Sequence, residues 1–180
     1  MSNNSASVDR TMEAFRLSSD ILMDLHGAMQ VYRAFQKSFA ARPAKEPVPT
    51  QVNRICAFHA VLALDKWVEF YNRYAAVLPV EMREVALELK KIVENKGIPK
   101  FRDEVVGHIW SRDANRPLTP VEVDRRFNRI APEGLDTFMQ WICDCNGPTS
   151  AATAAGAVEM VRNAIGASAG FSDKDLREQA

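Results

Sequence analysis

Cysteine and histidine are scarce in this chain, three of each in 180 residues. Cys56, Cys143 and Cys145 cannot form a closed set of disulfides. The Cys143/Cys145 pair has neither CxxC spacing nor a nearby histidine, so reduced and mostly buried thiols are expected. GxxxxGK[ST], GxGxxG and HExxH are all missing, which leaves no nucleotide-dependent chemistry to expect, no metal site and no cofactor. An excess of charge is missing too, with 23 Lys and Arg against 23 Asp and Glu. Without a general cationic field, any anion site must be local. The stretch from Lys96 to Ile130, with eight Lys or Arg against five Asp or Glu, is a modest local bias of that kind. No apolar run approaches the roughly 18 residues of a membrane span, and the polar start Met1-Ser-Asn-Asn-Ser lacks a signal-peptide core. A cytoplasmic protein with no membrane partner is the expectation. Neither strand-like alternation nor an internal repeat is found.

What remains is a single domain, 1–180, of ordinary globular composition, 47% apolar and 26% charged. Its apolar residues recur at helical spacing. After about ten polar residues expected to be disordered, Phe15, Ile21, Leu22, Leu25, Met29, Tyr32, Phe35 and Phe39 mark a long amphipathic helix. His26 on its edge reads as structural. The prolines Pro43, Pro47 and Pro49 end that helix in an extended loop. Thr50 caps a second helix through Phe58, Leu64, Trp67 and Phe70 to about Tyr74, apolar over much of its circumference and therefore central, with His59 at or near the core. A third helix spans Val80 to Lys96 and closes at Gly97. Thr119-Pro120-Val121-Glu122 is a capping box that starts a helix to Ile130. This helix buries Val123, Phe127 and Ile130 and leaves Arg125, Arg126 and Arg129 outward. A helix over Leu135–Ile142 follows. The last, from Thr149 to about Ile165, is alanine-rich and looks peripheral; a tail from about residue 167 is expected to fray. The fold class is all-α, an up-and-down bundle of about four to five core helices with short C-terminal additions.

The unusual stretch is Phe101-Arg-Asp-Glu-Val-Val-Gly-His-Ile-Trp110, expected as a short helix after the Ile98-Pro99 corner. At roughly 100° per residue, Phe101, Val105, Val106, Ile109 and Trp110 cover half its surface, and Arg102 falls within that half. A guanidinium placed there must be paired or must open into a wet cleft. One reading has Arg102 snorkel outward, satisfied by Asp103 or Glu104. The other is chemical. A histidine with a reference pKa of about 6.5 can move a proton at neutral pH, and an arginine can hold a phosphate and stabilise its growing charge. RNA would supply its own 2′-hydroxyl as nucleophile. On a regular helix Arg102 and His108 point about 120° apart, so a composite site would need a bent helix start or two copies facing each other. Gly107 would permit the close approach.

Arg102-Asp103-Glu-Val-Val-Gly-His108, preceded by an amphipathic helix and followed by a polar loop, resembles the motif of the HEPN families. The resemblance covers the motif and the helical layout, from about Phe15 to Phe138. It implies a homodimeric, metal-independent endoribonuclease of toxin or phage-defence type, often paired with an antitoxin. Arg102 and His108 would be catalytic and Asp103 a supporting polar residue, where the family often has asparagine. Arg112 and Arg116 of the polar loop, with Arg125 and Arg129, would bind the RNA. A second Arg-to-His spacing, Arg54-Ile-Cys-Ala-Phe-His59, lacks the polar second residue and lies in the central helix. Two further readings stand beside the ribonuclease. One is a non-catalytic HEPN-like dimerisation or adaptor module. The other is an unrelated helical regulator using Arg125, Arg126 and Arg129 to bind an acidic protein or nucleic acid.

Overall fold

Two long antiparallel helices form the frame, α1 (Ser2–Phe39) and α2 (Pro47–Tyr74). The computed structural model describes residues 2–39, 47–106, 110–111, 115–144, 147, 149–172 and 174–175, with backbone alone at 2–8, 39, 47–50 and 110–111. The antiparallel register follows from cross-links that run oppositely along the two helices. Asp24 meets His59 and Lys66, whereas Gln36 meets Asn53. Phe15, Ile21, Leu25, Met29 and Tyr32 of α1 bury against Leu64, Trp67, Phe70 and Tyr74 of α2. As its apolar circumference requires, α2 packs on α1, α3 (Arg83–Asn95), α4 (Ile98–Phe101) and α6 (Leu135–Ile142). The helices begin earlier than their polar and proline-rich starts indicate: α1 at Ser2, and α2 at Pro47 rather than after Thr50. Proline in a first helical turn loses no hydrogen bond, because its missing N–H has no partner there.

The last helix, α7 (Ala154–Ala169), departs furthest from expectation. It is a core element, not a peripheral one, with Ala154, Ala155, Gly156, Ala157, Val158, Val161, Ile165 and Gly166 all buried. Small residues made it look thin, and the same smallness lets it lie close to α1. A Cβ at Gly166 would sit 2.9 Å from Phe15 Cε2, and one at Gly156 would sit 2.0 Å from the Ser150 carbonyl oxygen. The helix also runs past Ile165 to Ala169, after which Phe171 packs its ring 5.9 Å from that of Phe15.

Between α3 and α5 (Pro120–Ile130) the chain turns tightly. Gly97 takes a left-handed conformation at φ 74°, as expected of a glycine closing a helix. The stretch expected as one helix from Phe101 to Trp110 is instead divided: α4 ends at Phe101, and Arg102–Val106 form a single wider π-helical turn. Trp110–Ser111 (β1) then pairs antiparallel with Arg116–Pro117 (β2), a small hairpin where a polar loop was expected. The capping box of α5 is present in full: Glu122 N donates to Thr119 Oγ1, and Thr119 N donates to the Glu122 carboxylate. A chain of ring contacts, Phe58 to Phe101 to Phe127 to Phe138 to Trp141, then ties α2, α4, α5 and α6 together. Among the described residues no helix is long and apolar enough to cross a membrane. The architecture is an all-α bundle.

Candidate functional site

The guanidinium of Arg102 is held by three carboxylates. Its Nε donates to Asp65 Oδ2 at 2.7 Å, Nη1 to Asp103 Oδ1 at 2.8 Å and Nη2 to Glu69 Oε1 at 3.3 Å. Asp65 and Glu69 are one helical turn apart on α2, so both present to the same side. The Asp65 side chain is 10% exposed and that of Arg102 34%, which places the main pair at the edge of the core. The hydrogen bond it donates to Asp65, followed by the charge of that carboxylate, raises the guanidinium pKa further. Phe101 and Val105 on either side of Arg102 are buried. This is how the chain accommodates a cation in an apolar arc: the partner is a matching acid in the apolar arc of α2. Of the local partners expected, Asp103 does engage Arg102. Glu104 turns instead to Arg126, at 3.1 Å, and to Lys100. The contribution of α2 was missed, although a signal for it was present: Asp65 interrupts the run Val61-Leu-Ala-Leu64 and Trp67-Val68 just as Arg102 interrupts its own.

The other expected site residues are dispersed or lie beyond view. His108 and Arg112 lie outside the described residues. Arg116 is clamped by both oxygens of Glu122 at 2.8 Å each. Together with the Thr119 hydrogen bonds, this holds the Glu122 carboxyl well down, at about 2. Arg125 and Arg129 are exposed on α5 and make no ion pair among the described residues. The second Arg-to-His spacing on α2 does not converge, because Arg54 reaches Asp124 on α5 while His59 reaches Asp24 on α1. His59 is exposed, not a core histidine, since the side of α2 that carries it faces outward between the frame helices. Cys56 and Cys143 are buried, and burial pushes the Cys56 thiol upward; Cys145 lies outside the described residues.

The outer face of the α1–α2 pair carries a different pattern. On α2, Ile55, His59, Leu62, Lys66, Glu69 and Arg73 recur at alternating spacings of four and three and are all exposed. On α1, Leu17, Asp20, Asp24, Gly27, Val31 and Ala34 recur at three and four and are exposed or half-buried. Spacings of three and four place each set on one face of its helix. Ile55 is 67% exposed and Val31 54%. A Cβ at Gly27 would meet nothing within 4 Å. The α1 row carries two aspartates, and the α2 row carries Lys66 and Arg73 with one acid, Glu69, between them. Within one copy, Asp24 bridges the rows, to Lys66 at 2.8 Å and His59 at 3.3 Å.

No protein-family model and no curated protein matches the chain. A solved structure does: an integron cassette protein, Vpc_cass2, from the mobile metagenome of V. paracholerae. It superposes with a TM-score of 0.72 over 87% of this chain and 96% of that one, at 22% sequence identity. The likeness is one of fold alone.

Proposed function

We propose that this protein is a non-catalytic adaptor, an HEPN-like helical bundle that works by pairing with a second copy of itself. The observation that carries this reading is the state of Arg102. A phosphate approaching this guanidinium would have to displace or lie beside Asp65, Glu69 and Asp103, and a like-charge approach of that kind costs binding energy instead of supplying it. The arginine is employed in holding α2 to the π-helical turn. The exposed seam of α1 and α2 supplies the pairing surface. In a two-fold arrangement with its axis along the helices, α1 of one copy lies over α2 of the other, and Asp20 and Asp24 meet Lys66 and Arg73.

The ribonuclease reading keeps one observation in its favour. Single π-helical turns occur frequently at functional sites, and this one begins at Arg102. In that reading His108 handles the proton, Arg102 the phosphate, and Arg112, Arg116, Arg125 and Arg129 the RNA backbone. An antitoxin would be the natural partner in the cytoplasm. Incubating purified protein with labelled single-stranded RNA, with and without chelator, separates the two. The adaptor gives no cleavage under either condition. Cleavage that ignores chelator, yields 2′,3′-cyclic phosphate ends and disappears in both Arg102→Ala and His108→Ala would establish the enzyme and overturn the adaptor.

A further inference from the structure

Helices α2 and α5 scarcely touch. Phe101 stands between them, its ring edge-on to Phe58 at 5.6 Å and to Phe127 at 5.9 Å. Beside these rings lies a cavity of about 220 Å³, walled by Phe58, Phe127 and Val123. Its polar lining is Asn53 and Arg54 from α2 and Asp124 and Asn128 from α5. Arg54 Nη2 donates to Asp124 Oδ1 at 2.5 Å and bridges the two helices. An apolar cavity of about 150 Å³ already accommodates benzene, so this one has room for one ring or a small fused pair. Half-buried phenylalanines offer that ring aromatic partners.

The rim then decides what kind of ring. A guanidinium has five donors and a carboxylate two acceptor oxygens, so a single Arg54–Asp124 bond leaves donors and an acceptor side by side with no net charge. An aromatic carboxylate would bring its anion against Asp124, and an aromatic amine would bring its cation against Arg54. A lactam edge, a carbonyl next to a ring N–H, fits both groups at once. The geometry points to a binding site for a neutral nitrogen heterocycle of this kind, the chemistry of a uracil or hypoxanthine base. Phe58 and Phe127 hold the ring, Arg54 donates to its carbonyl and Asp124 accepts from its N–H. The site stands apart from Arg102 and does not depend on the adaptor reading.

Titration of the full chain, followed through the backbone amide signals of Arg54 and Asp124, tests this. Uracil and hypoxanthine should each move both signals saturably. 1,3-Dimethyluracil, the same ring without N–H donors, should bind several-fold more weakly, because it loses the hydrogen bond to Asp124 and sets an N-methyl group against that carboxylate. Arg54→Ala and, independently, Val123→Phe, which fills the cavity from its apolar wall, should weaken uracil by a similar factor while the amide signals away from the site stay at their wild-type positions. A short oligouridylate that saturates the same signals more tightly than uracil would identify a base within an RNA strand as the ligand; weaker binding would identify the free base. Absence of saturable shifts with both bases up to their solubility limits, or equal affinity for uracil and its dimethyl derivative, would overturn the site.

Discussion

Arg102 sits between three carboxylates, two of them, Asp65 and Glu69, presented by α2. A cation in an apolar arc demands a partner, and this could be seen in the sequence. Which partner could not, because Asp65 lies 37 positions earlier and only the packing of α2 against α4 brings them together. The pair makes a stability prediction that distinguishes structure from chemistry. Arg102→Met leaves the Asp65 carboxylate buried with no cation and should cost about 1–3 kcal/mol. The double variant Asp65→Leu, Arg102→Met removes both charges and should recover much of that loss, a coupling that chemical denaturation of the four proteins measures directly. An arginine whose role is purely catalytic would show no such coupling, and Arg102→Met alone would leave the unfolding midpoint unchanged.

At the scale of elements, α5 and α7 mark the two limits of what can be read from sequence. The start of α5 was fully legible because its capping box and proline act within four residues of one another, and the structure contains each hydrogen bond expected. The role of α7 was hidden because alanine and glycine carry no large apolar signature; their burial follows from close approach to α1, a tertiary fact. The π-helical turn and the small hairpin were illegible for a similar reason, since the Arg102 ion pairs and the strand partners come together only in the fold. For α5 the local electrostatics give a pH prediction. Arg116 and Thr119 hold the folded pKa of Glu122 at about 2, below its ordinary value of 4.5. A depressed carboxyl contributes stability that is fully present above the unfolded value and is lost as pH falls through the folded one. The difference in melting temperature between wild type and Glu122→Gln should therefore be constant above about pH 5, shrink between 4.5 and 2, and vanish below. A difference that grew toward acid would mean that Arg116 and Glu122 are not paired in solution.

For the whole molecule, the outer face of α1 and α2 is where the proposed self-pairing can be tested. Each frame helix buries one apolar stripe in the core, yet the pair also exposes Leu17, Val31, Ile55 and Leu62 among charged residues on its outer face, with an unobstructed glycine, Gly27, on α1. Two copies related by a two-fold axis along the helices would bury Leu17, Val31, Ile55 and Leu62 together and set Asp20 of one copy near Arg73 of the other, since both residues line the same groove within a single copy. Light scattering should then find twice the 20.1 kDa mass of one chain. Placing a carboxylate in the seam, as Val31→Glu or Leu62→Glu, should raise the dissociation constant by about tenfold or more while leaving the fold of each copy intact, because interface cores are depleted of charge and tolerate it poorly. Charge reversal probes the orientation. Asp20→Lys and Arg73→Glu should each weaken the dimer, and the double variant, in which the rows are exchanged, should restore it. A dimer indifferent to all four substitutions would have to meet through another surface, and a monomer at micromolar concentration would remove the self-pairing adaptor altogether.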